Sequence, residues 1–291
     1  MKLSGILLLS TLSIICAGQS GKVSEHLTMK SKILNKDVNY SLYLPPDYES
    51  SKRNYPVVYL LHGFTDNDNG WLQFGEVNRY ADNAINSGEI PPMIIAMPDG
   101  GVTWYLNNYD GSVRYEDFFI QEFIPFIDAT YRTRPLKEYR GIAGLSMGGY
   151  GSLLNSLKHP DMFAACSALS SGVHTDEDII NMPDDGYERI YKNLFVKSGT
   201  KGKDRLSENW YRNSIVSLVQ KNPIEEIKKV RFYLDCGDDD FLYRGNSTLH
   251  IAFRDRGIPH EFRIRDGGHS WEYWRTGITD ALTFIGQSFR R

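Results

Sequence analysis

The chain has 291 residues, which is long enough for one large α/β domain preceded by a leader. Its 41% hydrophobic and 24% charged residues are typical of a folded globular protein and exclude an intrinsically disordered chain. The net charge of -3 leaves no excess of cations to neutralise phosphate groups. We therefore expect neither nucleic acid nor an anionic membrane surface as a partner.

The N-terminus, "MKLSGILLLSTLSIICAGQSGKV", has the pattern of an export leader. One lysine precedes an apolar stretch that is too short to span a bilayer, and small residues follow it. This predicts a signal peptide over residues 1–18, cleaved after Gly18, and a secreted or periplasmic protein with no stable membrane insertion. A lipid anchor at Cys16 is the alternative, although the two isoleucines before that cysteine are bulky for such a site.

Two further cysteines, Cys166 and Cys236, each lie in an apolar run. We expect both to be buried packing residues, because free cysteine behaves as a small hydrophobic side chain. A disulfide between them is permitted outside the cytoplasm, but a chain of this size does not require one.

The rest of the chain, residues 19–291, predicts one domain without repeats or long linkers. "SKILNKDVNYSLYLPPDY" alternates polar and apolar residues around an Asn-Lys-Asp turn, which predicts an antiparallel hairpin. Short apolar runs then predict buried strands of a mostly parallel sheet. These runs are "YPVVYLLHG", "PPMIIAMPDG", "YRGIAGLS", "FAACSALSS", "VRFYLDCGD" and "HEFRIRDGG".

Segments with helical periodicity lie between these runs and after the last one. They are "YEDFFIQEFIPFIDATY", "GGYGSLLNSLKHP", "NSTLHIAFRDRG" and "SWEYWRTGITDALTFIGQSF". The alternation predicts an α/β fold with helices on both faces of the sheet. The polar segment 172–213 does not fit it, and we expect an insertion over the carboxyl edge of the sheet, where ligands bind.

The stretch "GIAGLSMGGYGSL" contains the G-x-S-x-G pattern at residues 144–148. An apolar strand precedes Ser146 and a helical pattern follows it, which is the strand-turn-helix context of a nucleophilic serine. A Gly-Ser turn without catalytic function is the plain alternative. A serine nucleophile needs a histidine base, and we assign His269 in "RDGGHSW", since His250 lies within a helical pattern and His260 opens a strand.

The acid that orients the base is expected in "LDCGDDDF", after the penultimate strand. Asp235 falls within the strand and is a weaker choice, while spacing leaves Asp238, Asp239 and Asp240 open. These aspartates could also be solvated turn residues. The sequence has no metal-binding motif such as H-E-x-x-H, so we expect neither a metal nor another cofactor.

Acyl transfer also requires two backbone N–H donors for the oxyanion. The residue after the nucleophile, Met147, is the expected first donor. The loop after an early strand, "YLLHGFTDN", supplies the second as the N–H of Phe64. We expect His62 to orient this loop by hydrogen bonding. Together these features predict a serine hydrolase or acyltransferase.

Six segments together resemble an esterase family of the α/β-hydrolase fold. The family, carbohydrate esterase family 1, includes feruloyl and acetyl xylan esterases and is related to S-formylglutathione hydrolase (esterase D) and the mycolyltransferases. The segments are "LLHGFTDNDNGW", "MIIAMPDGG", "YEDFFIQEFIPFID", "AGLSMGGYGSL", "CGDDDF" and "GGHSWEYW". The resemblance runs from about residue 38 to the end and implies Asp240 as the acid.

Leu145 stands where the glutathione thioesterases carry histidine, and the export leader also favours the carbohydrate-directed members. The resemblance thus implies removal of feruloyl or acetyl groups from plant cell-wall xylan, with an ester on a polysaccharide or oligosaccharide as the binding partner. Trp104, Tyr105 and Trp271 could stack on the acyl group or on sugar rings. Core packing is the alternative for these aromatic side chains. A thioesterase, a general short-chain esterase and a non-catalytic carbohydrate-binding relative are the rival functions.

Overall fold

The computed structural model describes residues 18–289. The proposed leader, apart from Gly18, and the candidate anchor Cys16 lie outside the described residues. Within residues 18–289, none of the helices combines the length and apolarity needed to cross a lipid bilayer.

The described part of the chain forms an eight-stranded sheet in the order β1-β2-β4-β3-β5-β6-β7-β8. The strands are β1 Lys22–Ser31, β2 Lys36–Leu44, β3 Val57–Leu61, β4 Ile94–Pro98, β5 Arg140–Leu145, β6 Ala165–Leu169, β7 Arg231–Gly237 and β8 His260–Arg265. The predicted hairpin is confirmed, since β1 pairs antiparallel with β2. β2 also runs antiparallel to β4, and the remaining neighbours pair in parallel.

Helices connect the strands in the alternating pattern that the sequence predicted. They are α1 Gly70–Gln73, α2 Val77–Asn86, α3 Tyr115–Phe118, α4 Ile124–Thr130, α5 Met147–Lys158, α6 Asp176–Asn181, α7 Asp184–Tyr191, α8 Glu208–Asn213, α9 Ile215–Lys221, α10 Ile224–Ile227, α11 Tyr243–Asp255 and α12 Trp271–Ser288. Short 3₁₀ turns occupy Lys137–Tyr139 and Gly202–Arg205. A π-helical segment, Phe119–Phe123, joins α3 to α4, just before Pro125, whose missing N–H cannot continue an α-helical ladder.

Each face of the sheet has its own hydrophobic core, because side chains alternate along a strand. In β3, Tyr59 and Leu61 belong to the core that includes α5 and α11. Val58 and Leu60 belong to the core on the other face, where α2 and α12 pack. This two-sided burial explains why the strand sequences are continuous apolar runs. The edge strands β1 and β8 are the exceptions, since both carry exposed residues.

Cys166 and Cys236 are buried and free, so each is a packing residue as expected. Burial raises the pKa of both thiols to about 12. Neither thiol is therefore ionised near neutral pH.

A buried ion pair fixes the two strands that lead into the candidate site. The Asp235 carboxylate of β7 is fully buried and accepts hydrogen bonds from Arg265 Nε at 2.9 Å and Nη2 at 3.1 Å. The Tyr233 and Tyr273 hydroxyls also donate to it. Because Arg265 ends β8 and Tyr273 lies in α12, this carboxylate ties three elements together.

Removal of the arginine should destabilise the fold. We expect Arg265→Met to lower the free energy of unfolding by about 3 kcal/mol, because it leaves the buried Asp235 charge without its cation. The measurement is urea denaturation followed by circular dichroism.

Arg263→Met is the matched control for that experiment. Arg263 lies two residues earlier on the same strand, and its pair with Glu261 is exposed on both sides. Such a pair contributes less than about 1 kcal/mol. Equal stability of the two variants would contradict the proposed role of the buried pair.

Candidate active site

Ser146 stands at the sharp turn between β5 and α5. Its backbone has φ 53° and ψ -117°, a conformation that L residues rarely adopt. Two hydrogen bonds hold it there, from the Ser146 N–H to the Leu169 carbonyl at 2.9 Å and from the Gly172 N–H to the Ser146 carbonyl at 2.8 Å. The strained backbone places the Ser146 hydroxyl at the carboxyl edge of the sheet.

The two glycines of the G-x-S-x-G pattern are required by backbone packing. A Cβ on Gly144 would lie 2.9 Å from the Leu61 carbonyl oxygen and closer still to the Gly148 backbone. One on Gly148 would overlap the Leu61 carbonyl oxygen and lie 2.6 Å from that of His62. Since backbone atoms cannot move aside as a flexible side chain can, the turn and the 61–62 strand end fit together only with glycine at both positions.

The structure brings Ser146, His269 and Asp240 into one hydrogen-bonded chain. His269 Nδ1 lies 2.9 Å from Asp240 Oδ2, and His269 Nε2 lies 2.9 Å from Ser146 Oγ. A carboxylate can only accept, so Nδ1 carries the proton and Nε2 accepts from the serine hydroxyl. This arrangement can take a proton from Oγ and hold the resulting imidazolium beside a negative charge.

The Asp240 carboxylate is buried and remains ionised. Burial by itself would raise its pKa. Hydrogen bonds from His269 and from the Leu242 N–H, the latter at 2.8 Å, outweigh burial and hold the pKa below the usual value for a carboxyl group. The charge that orients His269 is therefore present throughout the neutral range.

The aspartates that spacing left open occupy different environments. Asp238 and Asp239 are exposed, and together with Asp266 they place three carboxylate oxygens within 4.8 Å of one another on the surface. Asp235 is buried in its pair with Arg265. Asp240 is the aspartate of this segment that contacts His269.

Both expected oxyanion donors lie beside the serine. Met147 begins α5, so its N–H has no acceptor within the helix. The loop that carries Phe64 approaches Ser146 closely, since a Cβ on Gly63 would lie 3.7 Å from Ser146 Cβ. His62 fixes this loop as expected: its Nδ1 lies 2.8 Å from the Gly63 carbonyl, and its Nε2 accepts from the Gly100 N–H at 2.8 Å.

Tyr105 does not line the site, which corrects the prediction that it contacts substrate. Its ring is fully buried, and Cβ atoms placed on Gly100 and Gly151 would both meet it. Its hydroxyl donates to the His62 carbonyl at 3.0 Å. Tyr105 therefore supports the loop of Phe64 from behind, an arrangement that the sequence pattern "TWYL" does not reveal.

A pocket of about 690 Å³ opens at Ser146 and His269 and is lined mainly by apolar side chains. Its volume is in the range of small-molecule sites. The segment 172–213 contributes Met182, Pro183 and Ile190 to its wall. This segment therefore lies at the carboxyl edge of the sheet, where it can influence the choice of substrate.

Trp104 and Trp271 both line this pocket. Trp104 is almost fully buried, with a positive φ of 55°, and its indole N–H donates to the Ile190 carbonyl at 3.2 Å. Trp271 is partly exposed, and its ring packs against Trp71 and Phe74 with centroid distances of 5.3 and 5.8 Å. Trp104 is a rigid wall of the pocket, whereas Trp271 is a more accessible one.

Phe241 and Asp66 are among the lining residues that were not predicted from the sequence. Phe241 is 71% exposed, and its ring centroid lies 4.5 Å from that of His269. Asp66 is half-buried and accepts from the Asn67 N–H at 2.9 Å, and burial raises its pKa. The position of Phe241 directly after the acid was a sequence signal that it could line the site. Asp66 lies in a polar run without periodicity, so the sequence has no comparable signal for it.

Comparison with known proteins agrees with this geometry. Residues 31–285 match the Esterase family. A solved ferulic acid esterase is 35% identical, with a TM-score of 0.78, and the alignment covers 93% of this chain and 99% of that one. The acetyl esterase of Caldicellulosiruptor saccharolyticus is 28% identical over 277 residues, which is 88% of this chain and 96% of the relative.

A third relative is the endo-1,4-beta-xylanase/feruloyl esterase of Xylanibacter ruminicola, 33% identical over 184 residues. That match covers 61% of this chain but only 24% of the longer relative. The family match covers most of the chain and agrees with the serine at the strand-to-helix turn. The protein therefore belongs to the Esterase family of α/β-hydrolase fold and is a carboxylic ester hydrolase.

Proposed function

We propose that the protein is an exported esterase that removes feruloyl or acetyl groups from plant cell-wall xylan. The observation that carries this proposal is the Ser146, His269 and Asp240 hydrogen-bonded chain at the mouth of a largely apolar pocket. The 35% identical ferulic acid esterase and the acetyl esterase relative support these two acyl groups. The leader pattern supports action outside the cytoplasm.

In the proposed mechanism Ser146 Oγ attacks the ester carbonyl carbon while His269 Nε2 takes the hydroxyl proton. The N–H groups of Phe64 and Met147 stabilise the oxyanion of the tetrahedral intermediate. As the ester C–O bond breaks, the imidazolium returns its proton to the departing alcohol oxygen. Water then attacks the acyl-enzyme by the same steps, which releases the carboxylic acid and restores the serine.

The apolar wall suits an aromatic acyl group. The exposed face of Trp271 and the Trp104 wall offer offset or edge contacts to a phenolic ring, and Asp66 can accept a hydrogen bond from a phenolic hydroxyl. A measurement of kcat/KM on methyl ferulate and on acetylated xylan separates the two acyl classes. Acetate release without ferulate turnover would assign a small acyl pocket, and hydrolysis of S-formylglutathione alone would replace the proposal by the thioesterase function.

The nucleophile is tested by Ser146→Ala. We expect kcat on methyl ferulate to fall by at least about 10⁴-fold, because the variant lacks the hydroxyl that forms the acyl-enzyme in the proposed mechanism. Circular dichroism should show an unchanged fold. A fluorophosphonate should label the wild type and not this variant, and labelling of Ser146→Ala would move the nucleophile elsewhere.

The acid is tested by Asp240→Asn with Asp239→Asn as its matched control. We expect the first to lower kcat about 10³- to 10⁴-fold with little change in KM, since an amide cannot hold the imidazolium. The exposed neighbour should retain near-wild-type activity. Because the pKa of Asp240 is lowered, its carboxylate stays charged as pH falls towards 4. The difference in kcat between Asp240→Asn and Asp239→Asn should therefore hold from pH 5 to 9.

The aromatic wall is tested by Trp271→Ala. We expect KM for methyl ferulate to rise about fivefold, which corresponds to the roughly 1 kcal/mol of an aromatic pair. KM for 4-nitrophenyl acetate should change much less, because an acetyl group does not reach the ring. An equal change for both substrates would show that the variant perturbs His269 rather than acyl binding.

A further inference from the structure

The proton path of the proposed mechanism fixes the side of the site from which the alcohol leaves. His269 Nε2 must reach the departing oxygen, so that alcohol lies next to the imidazole. The Phe241 ring is the exposed surface there, with its centroid 4.5 Å from that of His269. Phe241 is therefore within reach of a sugar that carries the ester.

A second groove, of about 500 Å³, lies beside this point and is also lined by Phe241. It shares His174, Met182, Pro183, Phe241 and Leu242 with the active-site pocket, so the two spaces are adjacent. Beyond the shared residues it is lined by Tyr243 and Arg244 at the start of α11 and by Glu177 and Asp178 of α6.

The sequence "DFLY" at residues 240–243 alternates between the interior and this groove. Asp240 and Leu242 are buried, whereas Phe241 is 71% and Tyr243 53% exposed. The Leu242 N–H donates to Asp240, so the acid that orients His269 also fixes the register of the two aromatic residues. Two neighbouring aromatic side chains that are exposed beside a reactive centre indicate a binding surface, because they do not contribute to the hydrophobic core.

We propose that this groove binds the sugar residues next to the esterified one, with Phe241 and Tyr243 as stacking surfaces. The inference rests on the proposed function. Aromatic faces accept the C–H faces of sugar rings, and polar groups at the groove can bond sugar hydroxyls. Glu177 is exposed, and the long Arg244 Nε to Asp178 Oδ1 distance of 3.9 Å leaves the guanidinium able to bond a ligand as well.

The test compares kcat/KM for a feruloylated or acetylated xylo-oligosaccharide with kcat/KM for a small ester of the same acid, methyl ferulate or 4-nitrophenyl acetate. The ratio of the two values isolates the sugar contribution. We expect the ratio to fall about five- to tenfold in Tyr243→Ala and to be restored in Tyr243→Phe, which keeps the ring and removes only the hydroxyl.

Ile251→Ala is the matched control, because Ile251 lies in the same helix with a similar exposure of 55% and does not line the groove. Its ratio should equal that of the wild type. Tyr243 is exposed, so its replacement should leave the thermal midpoint nearly unchanged, which a melting curve checks.

The proposal that the groove binds sugar would be overturned if the wild type hydrolysed the oligosaccharide ester with a kcat/KM no greater than that of the small ester. It would also be overturned if Tyr243→Ala left the ratio of the two kcat/KM values unchanged. In both cases hydrolysis of the small ester would still support the proposed esterase function. If the ratio of the kcat/KM values fell in Tyr243→Phe as well, the hydroxyl rather than the ring would be responsible for sugar binding, and the stacking role of Tyr243 would be overturned. Failure of the wild type on both the small ester and the oligosaccharide would instead contradict the proposed function itself.

Discussion

The site depends on the close approach of two backbone segments, the turn at Ser146 and the end of β3. Ser146 has φ 53°, a conformation that costs on the order of 1–3 kcal/mol and persists only where neighbouring structure enforces it. Two features of the surrounding structure hold this conformation. Gly144 and Gly148 lack a Cβ, so the turn can pack directly against the end of β3. The Leu169 carbonyl accepts from the Ser146 N–H, and the Gly172 N–H donates to the Ser146 carbonyl. The same approach brings the loop of Phe64 next to the hydroxyl.

The parallel sheet explains why three distant segments can meet at this hydroxyl. β5, β7 and β8 run in the same direction, so the residues that follow them, Ser146, Asp240 and His269, emerge at one edge. The buried Asp235–Arg265 pair joins the last two strands just before their site residues. Beyond the strand ends, the Asp238 N–H donates to the Arg265 carbonyl and the Asp239 N–H to the Gly267 carbonyl, both at 3.1 Å, so the two loops that carry Asp240 and His269 are also joined to each other.

Much of this could be predicted from sequence because the decisive signals are local. Continuous apolar runs gave the strands, and the glycines around Ser146 gave the turn. Spacing could not choose among the aspartates at 238, 239 and 240, because burial of one and exposure of two depends on how the loop folds back on β8. The prediction that Tyr105 contacts substrate was wrong for a related reason. An aromatic residue after a glycine-rich loop has the same sequence pattern whether its ring faces a ligand or the core. Here the absence of side chains at Gly100 and Gly151 makes room for the Tyr105 ring in the core.

The loop after β7 shows how one contact can link reactivity and selectivity. Asp240 is buried where it contacts His269, and it also accepts the Leu242 N–H at 2.8 Å within a segment in which buried and exposed residues alternate. That alternation leaves Phe241 and Tyr243 on the outside, on the side where the alcohol departs. In consequence the acyl group meets a wall that includes Trp104, Trp271 and Ile190, whereas the alcohol meets a groove built by the acid loop and α6. Substitutions in the first region should therefore change the choice of acid, and substitutions in the second the choice of alcohol.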